Sequence, residues 1–135
     1  MPRHKVVPLT DLELEIMNIV WKQGSTTVRQ IVDELHAKRP LAYTTIQTVL
    51  TILTQKGFVE YTPQGRAYVY RPAVGPDGVR RETVAAVVNK WFEGSTRSLI
   101  LHLIESDALT AGEAAELRRL LDQKAREARK EAQHA

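Results

Sequence analysis

Residues 41–58 read LAYTTIQTVLTILTQKGF, and the fold turns on whether this stretch is helix or strand. Ile46, Val49, Leu50 and Leu53 recur at the 3–4 spacing of one helical face. On a helix each residue advances about 100°, so Thr44, Gln47, Thr48, Thr51 and Gln55 point the other way. Eight of the twelve residues from Thr44 to Gln55 are β-branched, which favours a strand. Strict alternation fails, however, at the adjacent apolar pair Val49-Leu50. The stretch is therefore read as a helix, with Gly57 at the position where a glycine ends one. Its outer face is neutral, short-chained and rich in hydrogen-bonding groups, without Lys or Arg.

Working outward toward the N-terminus, Thr10-Asp11-Leu12-Glu13 has the form of a capping box. It opens a helix with Leu12, Ile16, Ile19 and Val20 inward, Met17 and Trp21 on the flanks, and Gly24 at its end. Ser25, Thr26 and Thr27 all offer caps for a second helix, with Val28, Ile31, Val32 and Leu35 inward. Pro40 disfavours helical geometry in the residue before it, so Lys38-Arg39-Pro40 closes that helix.

Toward the C-terminus the period changes. Residues 58–62 (FVEYT) and 67–71 (AYVYR) are rich in β-branched and aromatic residues and flank Pro63-Gln64-Gly65-Arg66, which has turn chemistry. Three helices followed by a hairpin describe a winged helix-turn-helix, the third helix entering a major groove and the hairpin forming the wing. Residues 72–78 (PAVGPDG) read as a linker. Beyond it, Val84, Val87, Val88 and Trp91 mark a fourth helix ended by Gly94. Ser95 or Thr96 caps a fifth helix with Leu99, Ile100, Leu103 and Ile104 apolar. Thr110 and Glu113 cap a sixth, whose apolar positions include Leu117 and Leu121 and give way to alanines in final turns expected to be exposed or frayed. The expected fold is thus mainly α: a winged-helix domain over residues 1–73 and a three-helix dimerisation domain over 74–135. The second half carries apolar stripes and no sheet to pack on. Val84, Val87, Val88, Trp91, Phe92, Leu99, Ile100, Leu103, Leu117 and Leu121 are the expected interface of a homodimer.

Composition sets the bounds on function. The 135 residues contain no cysteine, which excludes disulfides and thiolate metal sites. No apolar run approaches the roughly 20 residues that span a bilayer, and the basic N-terminus lacks the apolar core of a secretory signal, so a cytoplasmic protein is expected, without membrane insertion. The net charge of +3 lies wholly in the first half: residues 1–74 hold nine Lys/Arg and six Asp/Glu, residues 75–135 ten of each. His4, His36, His102 and His134 have no metal-ligand spacing, and no catalytic motif stands out, so neither an enzyme nor a cofactor is expected. His36 suits the C-terminal dipole of the second helix, and His102 reads as a structural residue of the fifth.

LTDLELEIMNIVW near the N-terminus, AYTTIQTVLTILTQKGFV, GRAYVYRP and the late SLILHLIE…ELRRLL stand in the order and spacing of one family. Over residues 9–123 the chain resembles the penicillinase-repressor family (BlaI/MecI type, with its CopY relatives). The resemblance implies a dimeric transcriptional repressor that binds double-stranded DNA at palindromic operators, with half-sites of the TACA/TGTA kind. It also implies release through cleavage by a membrane-bound sensor protease. The copper-responsive members use a C-terminal cysteine motif that this chain lacks. In the staphylococcal repressors the cut lies next to an asparagine; the aligned bond here is Arg97–Ser98, with arginine in its place. Some aligned positions that are basic in staphylococcal members are neutral here, notably Thr44, Gln47 and Ile52.

A threonine can meet a thymine methyl with its own methyl and a base edge or phosphate with its hydroxyl, and a glutamine can bond adenine at two sites. Thr44, Gln47, Thr48 and Thr51 are therefore the candidate base readers, with Tyr43 and Thr45 nearer the phosphates at the helix N-terminus. Ile52, at the edge of that face, is read as packing on the wing. Charge must come from elsewhere: Arg66 at the wing tip first, then Lys56, Arg71, Arg29 and the Lys38-Arg39 pair, with Arg3 and Lys5 in an N-terminal arm. Two other readings stay open, a winged-helix regulator that senses a small ligand between its C-terminal helices, and an adaptor that binds protein rather than DNA.

Overall fold

A computed structural model describes residues 8–134, so the expected arm residues Arg3 and Lys5 lie outside the described residues. The order is α1 (Asp11–Gln23), α2 (Val28–His36), α3 (Tyr43–Gln55), β1 (Val59–Gln64), β2 (Ala67–Pro72), α4 (Pro76–Trp91), α5 (Thr96–Glu105) and α6 (Ala111–His134). Two compact units divide between Val87 and Val88, inside α4 rather than at the proline-glycine segment before it.

The first unit is a winged helix. Its core joins Ile16, Met17, Ile19 and Val20 of α1 to Val28, Ile31 and Leu35 of α2, Ile46, Leu50 and Leu53 of α3, and Phe58, Val59 and Tyr70 at the hairpin. Burying one such aliphatic side chain contributes about 1.5–3 kcal/mol before the entropy of ordering it is counted. Met17, expected on a flank, is fully buried. The helix ends follow local rules. The Thr10 hydroxyl accepts from Glu13 N–H at 3.1 Å while Glu13 Oε1 accepts from Thr10 N–H at 2.9 Å. Thr27 and Gln30 repeat that exchange at the start of α2. At the end of α3, Gly57 has φ 86°. Its N–H donates to Thr54 O at 3.1 Å, and Phe58 N–H donates to Leu53 O at 2.9 Å. This is a Schellman stop, with buried Phe58 set against buried Leu53, and it swings the chain from α3 into the hairpin.

The hairpin is longer than the sequence suggests. Antiparallel pairing runs from Val59↔Pro72 to Gln64↔Ala67, so Pro63 and Gln64 are strand and only Gly65-Arg66 turn. Pro63 fits because it faces Tyr68 in a pair adjacent to the closing Gln64↔Ala67 pair; bonded and non-bonded pairs alternate, so its missing N–H leaves no gap in the ladder. Gly65, at φ 63°, takes the first turn position where a left-handed conformation is needed. Thr26 adds a bridge to the free side of β2, exchanging both bonds with Tyr70 at 2.9 and 2.7 Å. That commits Thr26 to the sheet and leaves Thr27 to cap α2.

The segment expected to be a linker is largely structural. Trp21 Nε1 donates to Val74 O at 2.9 Å, and Ala73 N–H donates to Phe58 O at 2.9 Å. Helix α4 already begins at Pro76, because proline suits the first helical position where no N–H is needed. In the second unit, Ser95 caps α5 through Ser98 N–H at 3.1 Å, and Thr110 and Glu113 form a third capping box at α6. Helix α6 stays helical through His134. No helix among the described residues is long and apolar enough to cross a membrane.

Candidate nucleic-acid interface

The α2–α3 pair and the hairpin together shape one candidate surface. Ile46, Leu50 and Leu53 turn α3 into the core, which leaves Thr44, Gln47, Thr48, Thr51 and Gln55 exposed. Ile52, expected against the wing, is 39% exposed; it follows Thr48 by four residues and shares that ridge of the helix. The Thr48 hydroxyl donates to Thr44 O at 2.9 Å and the Thr51 hydroxyl to Gln47 O at 3.0 Å. The α3 N-terminus has no side-chain cap, since Ala42 occupies the cap position. Thr45 N–H and Ile46 N–H turn back to Ala42 O, while the N–H groups of Tyr43 and Thr44 have no partner among the described residues. Such open N–H groups and the helix dipole favour an anion. Tyr43 and Thr45 flank them, both exposed, and the Arg29 guanidinium stands 5.3 Å from the centre of the Tyr43 ring.

The basic candidates separate into engaged and free. Lys56 is engaged: its ammonium donates at 2.8 Å to Oε2 of Glu13, which is buried at 5% exposure. Burial pushes the Glu13 carboxyl up, but the hydrogen bonds from Lys56 and Thr10 and the charge of Lys56 outweigh it and hold the carboxyl below its ordinary value. Lys56 thus serves first as the counter-ion of α1, which its place next to a helix C-terminus does not reveal. Arg39 pairs with Glu15 at 3.0 Å. Arg71 is shared between Glu60 at 3.8 Å and the Thr62 hydroxyl at 3.4 Å, its cross-strand neighbours. Arg66 is exposed in the two-residue turn, and Arg66, Arg29 and Lys38 form no ion pair among the described residues.

The hairpin also carries a tyrosine cluster that sequence reasoning did not single out. Alternation along paired strands puts Tyr61, Tyr68 and Tyr70 on one face. The rings of Tyr61 and Tyr68 meet edge to face at 4.7 Å, with Tyr70 5.7 Å from Tyr61. Burial, then the neighbouring tyrosines, push the Tyr70 hydroxyl up. Tyr61 and Tyr68 remain 46% exposed, and the two-residue alternation is the signal that could have found them.

Along α4, α5 and α6 most of the residues expected to pair with another copy are open. Trp91 is 71% exposed, and Val84, Val87, Ile100, Leu103, Leu117 and Leu121 are exposed; Phe92 and Leu99 are half-buried. Val88 departs from that expectation: it is 6% exposed, shielded within the chain, and its carbonyl accepts the Phe92 and Gly94 N–H groups. Helices α5 and α6 flank an open apolar groove of about 720 Å³ lined by Ile100, Leu103, Ile104, Leu109, Leu117 and Leu121. The Arg97–Ser98 bond lies in the first turn of α5, with Arg97 exposed.

The family pattern described as Penicillinase repressor matches residues 9–123. The BlaI transcriptional regulator of Mycobacterium tuberculosis is 38% identical, over 87% of this chain and 85% of that one. The penicillinase repressor of Bacillus licheniformis is 29% identical, over 88% and 93%. A mutant of MarR from E. coli overlays with a TM-score of 0.50 at 19% identity, covering 87% of this chain and 79% of that one, a likeness of fold alone. On the match across most of its length, together with the winged helix built by α1 to β2, the chain belongs to the penicillinase-repressor family.

Proposed function

We propose that the protein is a DNA-binding transcriptional repressor that acts as a homodimer. Helix α3 lies in a major groove with Thr44, Gln47, Thr48 and Thr51 toward the bases, and the open N–H groups of Tyr43 and Thr44 meet a phosphate. Arg66 at the wing tip, with Arg29 and Lys38, supplies the attraction that the neutral face of α3 lacks. The observation that carries this reading is the exposed, uncharged Thr/Gln face of α3, together with an exposed arginine at the hairpin tip that forms no ion pair among the described residues. Relatives named as repressors add to it, among them the penicillinase repressor of B. licheniformis.

Pairing through α4, α5 and α6 is supported by the exposed apolar side chains of Trp91, Leu103 and Leu121, which a second copy would cover. Two copies present two α3 helices, which matches a palindromic operator. Release is proposed to follow cleavage at Arg97–Ser98 by a sensor protease. A protease holds its substrate extended, so the first turn of α5 must unwind for the cut. A second reading, a regulator switched by a small apolar ligand, draws on the open apolar groove between α5 and α6.

A mobility shift with the promoter region of the protein's own gene, against a shuffled duplex of equal composition, tests the function. The repressor reading predicts preference for the promoter and weakening as salt rises; equal affinity for both duplexes contradicts it. A specific small molecule that releases the intact, uncut protein from that promoter favours the second reading of induction.

A further inference from the structure

Two threonines of the α3 face have spent their only hydroxyl proton inside the helix: Thr48 on Thr44 O and Thr51 on Gln47 O, at 2.9 and 3.0 Å. A threonine hydroxyl has one proton and two lone pairs, so each oxygen remains only an acceptor toward a partner. The bond also fixes the side-chain rotamer, because a β-branched residue on a helix has few alternatives. With the oxygen turned back along the helix, the γ-methyl is the outward group. The two residues lie three apart and share one exposed ridge. Using either hydroxyl as a donor to a phosphate or a base acceptor would break a well-formed bond.

We infer that Thr48 and Thr51 select bases as methyl-bearing apolar contacts, recognising the C5-methyl groups of thymine, and that their hydroxyl protons take no part. Gln47, whose side-chain amide has no partner among the described residues, is then the reader on this ridge that both donates and accepts. This inference rests on the reading of α3 as a groove helix. It narrows that reading from threonine as a two-way polar contact to a valine-like shape contact. Thymine is the base of DNA that carries this methyl, so the sites under Thr48 and Thr51 are thymines on one strand or the other.

The test uses the full-length protein and the duplex footprinted from its own promoter, synthesised with thymine or with deoxyuridine in the protected half-sites. Uracil pairs as thymine does and lacks only the methyl. The wild-type protein is expected to bind the deoxyuridine duplex about fourfold more weakly for each thymine methyl removed beneath these side chains. Thr48→Val and Thr51→Val, which keep the methyl, should retain both the affinity and the sensitivity to deoxyuridine. Thr48→Ser and Thr51→Ser, which keep the hydroxyl, should bind the thymine duplex more weakly and respond less to the replacement. Undiminished binding to the deoxyuridine duplex, or serine variants that outperform valine variants, overturns the inference while leaving the repressor reading intact. Failure to prefer any promoter duplex overturns the repressor reading, and this inference with it.

Discussion

The Lys56 ammonium and the buried Glu13 carboxylate meet at 2.8 Å and clasp the end of α3 to the first turn of α1. The other Glu13 oxygen closes the Thr10 capping box, so one carboxylate joins the start of the chain's first helix to the end of its third. The candidate reading helix is thereby anchored at the end opposite its open N-terminus. Lys56→Met should destabilise the protein by about 2 kcal/mol, because it leaves a buried carboxylate without its counter-ion. Urea unfolding measures this. The salt dependence of DNA binding should stay unchanged in that variant; a shallower salt slope would make Lys56 a phosphate contact instead.

The same pair predicts a pH response. The Glu13 carboxyl is held below its ordinary value of 4.5 in the folded protein. Its contribution is therefore fully present above about pH 4.5 and is lost as pH falls through the lower, folded value. Unfolding followed from about pH 6 down to about pH 3 should show Glu13→Gln losing less stability on acidification than wild type. Parallel losses would remove Glu13 from the acid response.

The apolar residues of the second unit predict assembly. Leu103→Asp combined with Leu121→Asp should convert a dimer to a monomer in sedimentation and remove most of the affinity for a two-half-site operator, leaving weak half-site binding. The helical content should persist, since both leucines are exposed within the single chain. A variant that remains dimeric would place the interface elsewhere.

The Ser95 cap predicts how readily the Arg97–Ser98 bond opens. Ser95→Ala removes the hydroxyl that holds Ser98 N–H and should cost the first turn of α5 about 1 kcal/mol, a roughly fivefold rise in its unwound population. Trypsin, which cuts after arginine, should release the fragment beginning at Ser98 correspondingly faster. An unchanged rate would mean that opening of this turn does not limit the cut.

Features set by neighbouring residues are legible in the sequence, and those set by distant partners are not. The Thr10–Glu13 box, the glycine stop at Gly57 and the inward face of α3 follow from residues within a turn of one another. Thr26 reads as one cap candidate among three because its partner, Tyr70, lies far along the chain. Pro63 reads as turn because strand pairing, invisible locally, makes room for it. Pro76 reads as linker although a proline equally opens a helix, and the Trp21–Val74 bond shows that the segment before it is tied down. At the site, the composition of the α3 face is readable and its hydroxyl bonding is not. Lys56 illustrates the limit: a surface lysine by sequence, it is the counter-ion of a carboxylate on another helix.

The central claim is that α3 supplies discrimination and the hairpin arginine supplies attraction. Its most direct measurement compares Thr48→Ala and Arg66→Ala on the promoter duplex and on a shuffled duplex, across a salt series. The account predicts that Thr48→Ala lowers the preference for the promoter with its salt slope unchanged. It predicts that Arg66→Ala weakens binding to both duplexes alike and reduces the salt slope by about one. The reverse pattern, with preference lost in Arg66→Ala and salt slope lost in Thr48→Ala, would contradict it.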